Sequence, residues 1–105
     1  MGTIDHPLLL QLSAPRWQAD TGQLLWTLAA DDDTLAQLVP LMLARLDCRL
    51  LEHSWGADRH LWLLEFEGCR LALQYEALCD TLWLQAERAG DQEVTEYLAQ
   101  LWTSL

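Results

Sequence analysis

An α+β two-layer sandwich is the fold this sequence predicts, a mainly antiparallel sheet with two helices packed on one face. Three observations carry that expectation. Residues Cys48 to Glu87 read as four consecutive extended runs joined by very short turns. Two other segments, opened by Asp31-Asp32-Asp33-Thr34 and by Ala89-Gly90-Asp91, repeat apolar residues at helical spacing. The strands alternate so that one sheet face is wholly apolar and needs helices to cover it, while the other is graded from charged to apolar.

Taken in order, Met1 to Pro7 look loose. Leu8 to Trp17 reads as an edge strand interrupted by Pro15, which cannot donate to a ladder. Asp20-Thr21-Gly22 is a turn, and Gln23 to Ala29 a strand with Leu24, Trp26 and Leu28 on one side. One aspartate of the following triplet caps the first helix and the others favour the positive end of its dipole. Leu35, Leu38, Val39, Met42, Leu43 and Leu46 form its stripe. Pro40 lies inside it, costs ~3 kcal/mol there, and predicts a kink or a short separate first turn. If the strands it joins run parallel, this helix is a crossover, right-handed by the usual rule.

Within the four-strand stretch, Gly68-Cys69 reads as the centre of a II′ hairpin turn. That turn sets Glu67 opposite Arg70, Phe66 opposite Leu71, Leu64 opposite Leu73 and Trp62 opposite Tyr75. Leu82, Leu84 and Ala86 then extend the apolar face. In Cys48 to Trp55 the core side falls to Leu51, His53 and Trp55, with Leu50, Glu52 and Ser54 opposite. The last helix carries Val94, Tyr97, Leu98, Leu101, Trp102 and Leu105 as its stripe.

A chain of 105 residues is expected to form one domain over 1–105, since domains cluster around roughly 100–150 residues. The apolar fraction of 51% suffices for a core. A formal charge of −10 and a pI near 4.3 argue against nucleic acid or an anionic membrane as partner. No run reaches the about 18–20 apolar residues of a membrane span, and no secretory leader is evident. Met1-Gly2 opens like an N-myristoylation site, but His6 stands where Ser or Thr is needed. Cys48, Cys69 and Cys79 are odd in number and widely spaced, so reduced thiols and a cytoplasmic location are expected. All six cations are arginine, for which the residues offer no physical reason.

Catalytic motifs are not found. Ser13, Ser54 and Ser104 lie outside any nucleophile elbow, and no metal-binding, phosphate-binding or dinucleotide pattern occurs, so no metal or cofactor is implied. Glu65, Glu67, Glu76 and Glu87 read as a solvated face rather than a catalytic dyad, which needs a pocket to separate two pKa values. One polar constellation stands out: His53, Trp55, Asp58, Arg59 and His60, gathered at one hairpin end. Two histidines without a third ligand make a poor metal site. Packing on tryptophan rings, with Asp58 holding the turn, is the plainer reading.

The second oddity is apolar. Leu61, Leu63 and Trp83 fall on the outer face, where an early hairpin either covers them or leaves a contact surface. The stretches Trp55-Gly56-Ala57-Asp58-Arg59-His60, Trp62-Leu63-Leu64-Glu65-Phe66-Glu67-Gly68 and Trp83-Leu84 resemble a family of small bacterial proteins of this size described only as a domain of unknown function. The resemblance covers mainly residues 50 to 88. It implies a bacterial, cytoplasmic protein and transfers no site residues. The residues themselves suggest a non-enzymatic protein-interaction module, homodimeric or with another protein, acting through the outer face. The alternative is a small enzyme or ligand-binding protein at the His53/Asp58/Arg59/His60 end. An acidic imitation of nucleic acid would need carboxylates ranked along one surface, and here they are scattered over helix starts and turns.

Overall fold

The structure, a computed structural model, describes residues 7–104. A single helical turn, α1 (Pro7–Leu10), precedes two strands, β1 (Arg16–Gln18) and β2 (Gln23–Thr27). Helix α2 (Asp32–Leu46) leads to β3 (Arg49–Trp55), β4 (Arg59–Phe66), β5 (Cys69–Glu76) and β6 (Thr81–Ala86), and α3 (Gln92–Ser104) is the last element of the described residues. The fold is α+β. All neighbouring strands are antiparallel, in the order β1-β2-β6-β5-β4-β3. β2 and β3 therefore run in the same direction, with three strands between them, and α2 carries the chain from one to the other.

Both long helices pack on one sheet face. Leu24, Trp26, Trp62, Leu64, Leu71, Leu73, Tyr75, Leu82 and Leu84 of the sheet are buried with Leu35, Leu38, Met42 and Leu46 of α2 and Leu98 and Trp102 of α3. Trp26 meets Trp102 edge to face, with ring centroids 5.1 Å apart. Burying a side chain of this kind contributes ~1.5–3 kcal/mol, so this interlayer core dominates the stability. α2 starts where expected: Asp31 is the cap, its carboxylate accepting the Thr34 N–H at 2.8 Å. Pro40 stands on the exposed side, and the helix continues through it to Leu46 without a separate first turn.

Several expectations are corrected. Leu8 to Leu10 belong to a helical turn, and the edge strand β1 begins only after Pro15. The expected loose segment 1–7 lies outside the described residues except for Pro7, which starts α1. The central hairpin turns on Glu67-Gly68, not Gly68-Cys69. Both residues have positive φ, 49° and 85°, the I′ pattern. Phe66 therefore pairs with Cys69, Leu64 with Leu71, Trp62 with Leu73, and Arg70 with Glu65. Reserving positive φ for glycine misplaced the turn, because Glu67 accepts the left-handed region at ~1–2 kcal/mol. The slide is two residues along β5, one full pleat repeat, so every side chain keeps its expected face.

β3 departs further. A bulge lies between Leu50 and Glu52, so Leu50 pairs with Leu64 and Leu51 is the extra residue, not a core-face one. His53 and Trp55 do share the helix-side face, opposite Trp62 and His60. In α3 the buried stripe is Thr95, Leu98, Ala99 and Trp102, whereas Tyr97 is 52% exposed. Bulk misled the reading here: the small Thr95 and Ala99 let α3 approach the sheet, and Tyr97 lies at the margin against Phe66, centroids 5.9 Å apart. Leu105, also assigned to that stripe, lies outside the described residues.

Candidate functional site

Because both helices cover one face, the outward residues of each strand build the other. Across it runs the row Leu25, Trp83, Gln74, Leu61, Ser54, and beside it Gln23, Gln85, Ala72, Leu63, Glu52. Leu61 and Trp83 thus flank Gln74, and Leu63 adjoins Ala72 one row away. The β1–β2 hairpin does not fold over them. It lies in the plane of the sheet as an edge, and it adds Leu25 beside Trp83. The same alternation that turns Leu24 and Trp26 inward turns Leu25 out.

Trp83 is held in place by polar partners. Its indole N–H donates to Gln85 Oε1 at 3.0 Å, and Gln23 Nε2 donates to the same oxygen at 2.8 Å. Charged pairs border the apolar rows, Arg49 with Glu65 on one side and Arg59 with Glu76, at 3.3 Å, on the other. Arg16, Arg49, Arg59 and Arg70 all project from this face, as their strand partners Leu25, Glu65 and Glu76 do. Only Arg45 and Arg88 lie elsewhere.

A concavity of about 290 Å³ opens on this face. Ser54, Leu61, Gln74 and Trp83 line it along one row, with Trp55, Gly56 and Arg59 from the β3–β4 hairpin and His60 and Tyr75 completing it. It joins two sets of candidates: Leu61 and Trp83 from the outer cluster, Trp55, Arg59 and His60 from the hairpin end. Leu63, His53 and Asp58 do not line it. Its size falls just below the ~300–1,000 Å³ typical of small-molecule sites.

The histidines are organised on the helix side. His53 Nε2 lies 2.9 Å from His60 Nδ1, and His60 Nε2 lies 2.8 Å from Asp32 Oδ1. A carboxylate only accepts, so His60 donates from Nε2 to Asp32. In the tautomer that satisfies both contacts, His60 then accepts at Nδ1 from the N–H of His53. His53 is stacked on Trp62, centroids 4.8 Å apart and planes 14° from parallel, with Trp55 at 5.0 Å. Burial first, and the electrostatic interaction with the neighbouring His60 imidazole second, hold the His53 pKa below its ordinary value. Both ring nitrogens of the buried His60 are engaged, which leaves it none to offer a ligand. Asp58 is half-buried in the loop, its carbonyl accepting the Ala77 N–H at 2.9 Å.

Asp32 is the residue the sequence did not reveal. It stands beside the cap that a triple Asp suggests, and nothing local connects it with a histidine 28 residues on. The thiols are free, Cys48 half-buried and pushed up to about 12 by burial and then by Asp47, Cys79 exposed and raised by its hydrogen bond to Glu76. Raised thiol pKa values disfavour the nucleophilic thiolate. Among the described residues no group of three or more His, Cys, Asp or Glu side chains is placed to hold a metal ion, and no helix is long and apolar enough to cross a membrane.

Compared with known proteins, the chain matches a family model, that of a protein of unknown function (DUF3630), over residues 12–103. Nothing matches among curated proteins or solved structures.

Proposed function

We propose that this chain, which belongs to that family of unknown function, is a non-enzymatic interaction module whose outer sheet face docks another protein. One observation carries the reading. The apolar rows Leu25, Trp83, Leu61 and Leu63 lie on the side that neither long helix covers. Contiguous apolar surface with a polar border is the usual make-up of a contact patch. Arg49–Glu65 and Arg59–Glu76 form such a border, and Trp83 and the concavity beside it supply an aromatic anchor and a recess for a partner side chain. Charge supports the same face. Four of six arginines project from it and offset Glu52, Glu65 and Glu76 of the same face, so an otherwise strongly acidic chain repels an approaching protein less there than at the helices. Free thiols suit a reducing compartment, and the reading places the protein in the bacterial cytoplasm.

The test uses paired variants. Trp83→Glu and Leu61→Glu place a charge on the outer face, and Tyr97→Glu places one on α3. Complexes formed in native extract should survive Tyr97→Glu and be lost in both outer-face variants, with circular dichroism unchanged throughout. Retention of every complex by the two outer-face variants overturns the reading.

A further inference from the structure

The two edges of the sheet are built differently. β1 is three residues long and begins just after Pro15, so it offers little backbone for pairing. β3 is seven residues long, and among the described residues its ladder runs to β4 alone. Its outer edge therefore presents unpaired N–H and C=O groups, the template to which another extended strand adds. The side chains agree with the backbone. Leu50 is 48% exposed, Leu51 39% and Trp55 67%, three of the six large exposed apolar residues of the described chain.

We propose that β3 pairs antiparallel with the β3 of a second copy, joining two six-stranded sheets into one. The edge chemistry requires an extended strand, and three features make that strand another β3. Arg49 and Glu52 cancel within the segment, so two copies meet there without the repulsion that the charge of −10 imposes elsewhere. Antiparallel two-fold pairing sets the Trp55 end of one strand beside the Leu50 end of the other, so each copy covers the other's exposed apolar residues. The assembly also closes. Once the β3 edges are used only the short β1 edges remain, and growth stops at a dimer. The bulge between Leu50 and Glu52 restricts regular pairing to Glu52–Trp55, which opposes longer aggregates. This edge shares Ser54 and Trp55 with the rim of the concavity, but pairing leaves Leu25, Leu61, Leu63 and Trp83 of the outer face open on both copies.

Sedimentation equilibrium of the full chain over a range of concentrations tests this. Wild type should be a dimer. The double variant Leu50→Lys/Trp55→Lys should dimerise roughly tenfold more weakly or not at all, whereas Tyr97→Lys and Trp83→Glu should dimerise as wild type does. Amide exchange in Glu52 to Trp55 should slow as protein concentration rises. A monomeric wild type overturns the proposal. So does a dimer that survives the double variant, or one that Trp83→Glu dissolves while the edge amides exchange equally fast at all concentrations.

Discussion

His53 shows how one side chain records its surroundings. It lies between Trp55 and Trp62 and gives its N–H to a ring already committed to Asp32. Those surroundings lower its affinity for a proton relative to the unfolded chain, whose ordinary value is 6.5. Between that value and the lower folded one, the unfolded chain binds more protons than the folded chain. Stability therefore falls as pH drops through 6.5, and the loss is complete once pH lies below the folded value. Carboxylates add their own dependence at lower pH, so the comparison needs a variant. Urea unfolding at about pH 7.5 and about pH 5 should show a smaller loss for His53→Gln than for wild type. An equal loss would show that His53 titrates alike in both states.

At the scale of elements, the β4–β5 hairpin is the most instructive. Its turn holds Glu67 at φ 49°, a conformation that favours Gly or Asn. Glu67→Asn creates the Asn-Gly pair that such turns prefer, and should raise stability by roughly 1 kcal/mol in urea unfolding without moving the register. A fall in stability would mean that the Glu67 side chain contributes more than its strain costs. This hairpin also marks the reach of sequence reasoning. Alternation identified the faces of Trp62, Leu64, Phe66, Leu71, Leu73 and Tyr75 correctly, because a face depends only on parity. The pairing slid, because pairing depends on which residue tolerates positive φ. Glycine is a strong guide to that, and Glu67 is invisible to it. β3 failed for a related reason: a bulge adds one residue and reverses parity beyond it, so Leu51 lost the place its alternation implied. Leu61, Leu63 and Trp83 were legible as outward residues by parity alone. Their joining with Trp55 and Arg59 around one concavity depends on distances that no pattern encodes.

Across the whole molecule, the acids are not spread evenly. Asp31, Asp32, Asp33, Asp47, Glu93 and Glu96 belong to the two long helices and their caps, against Arg45 alone. Like charges so gathered repel in the compact state more than in the unfolded one. Added salt should therefore stabilise the protein. Raising sodium chloride from about 0.01 M to about 0.3 M, where the screening length falls from ~30 Å to under ~10 Å, should raise the Tm. An unchanged or lower Tm would indicate that local pairs such as Arg49–Glu65 offset the repulsion.

The four arginines on the strands give that imbalance a direction. Negative charge gathers at the helices, whereas on the far side of the sheet the arginines offset Glu52, Glu65 and Glu76, so the molecule has an electric moment crossing its two layers. In the field of a charged body such a molecule turns while still free in solution. Facing a polyanion it presents its strands, and facing a cation its helices, so its attitude on arrival is chosen by long-range forces before any side chain touches.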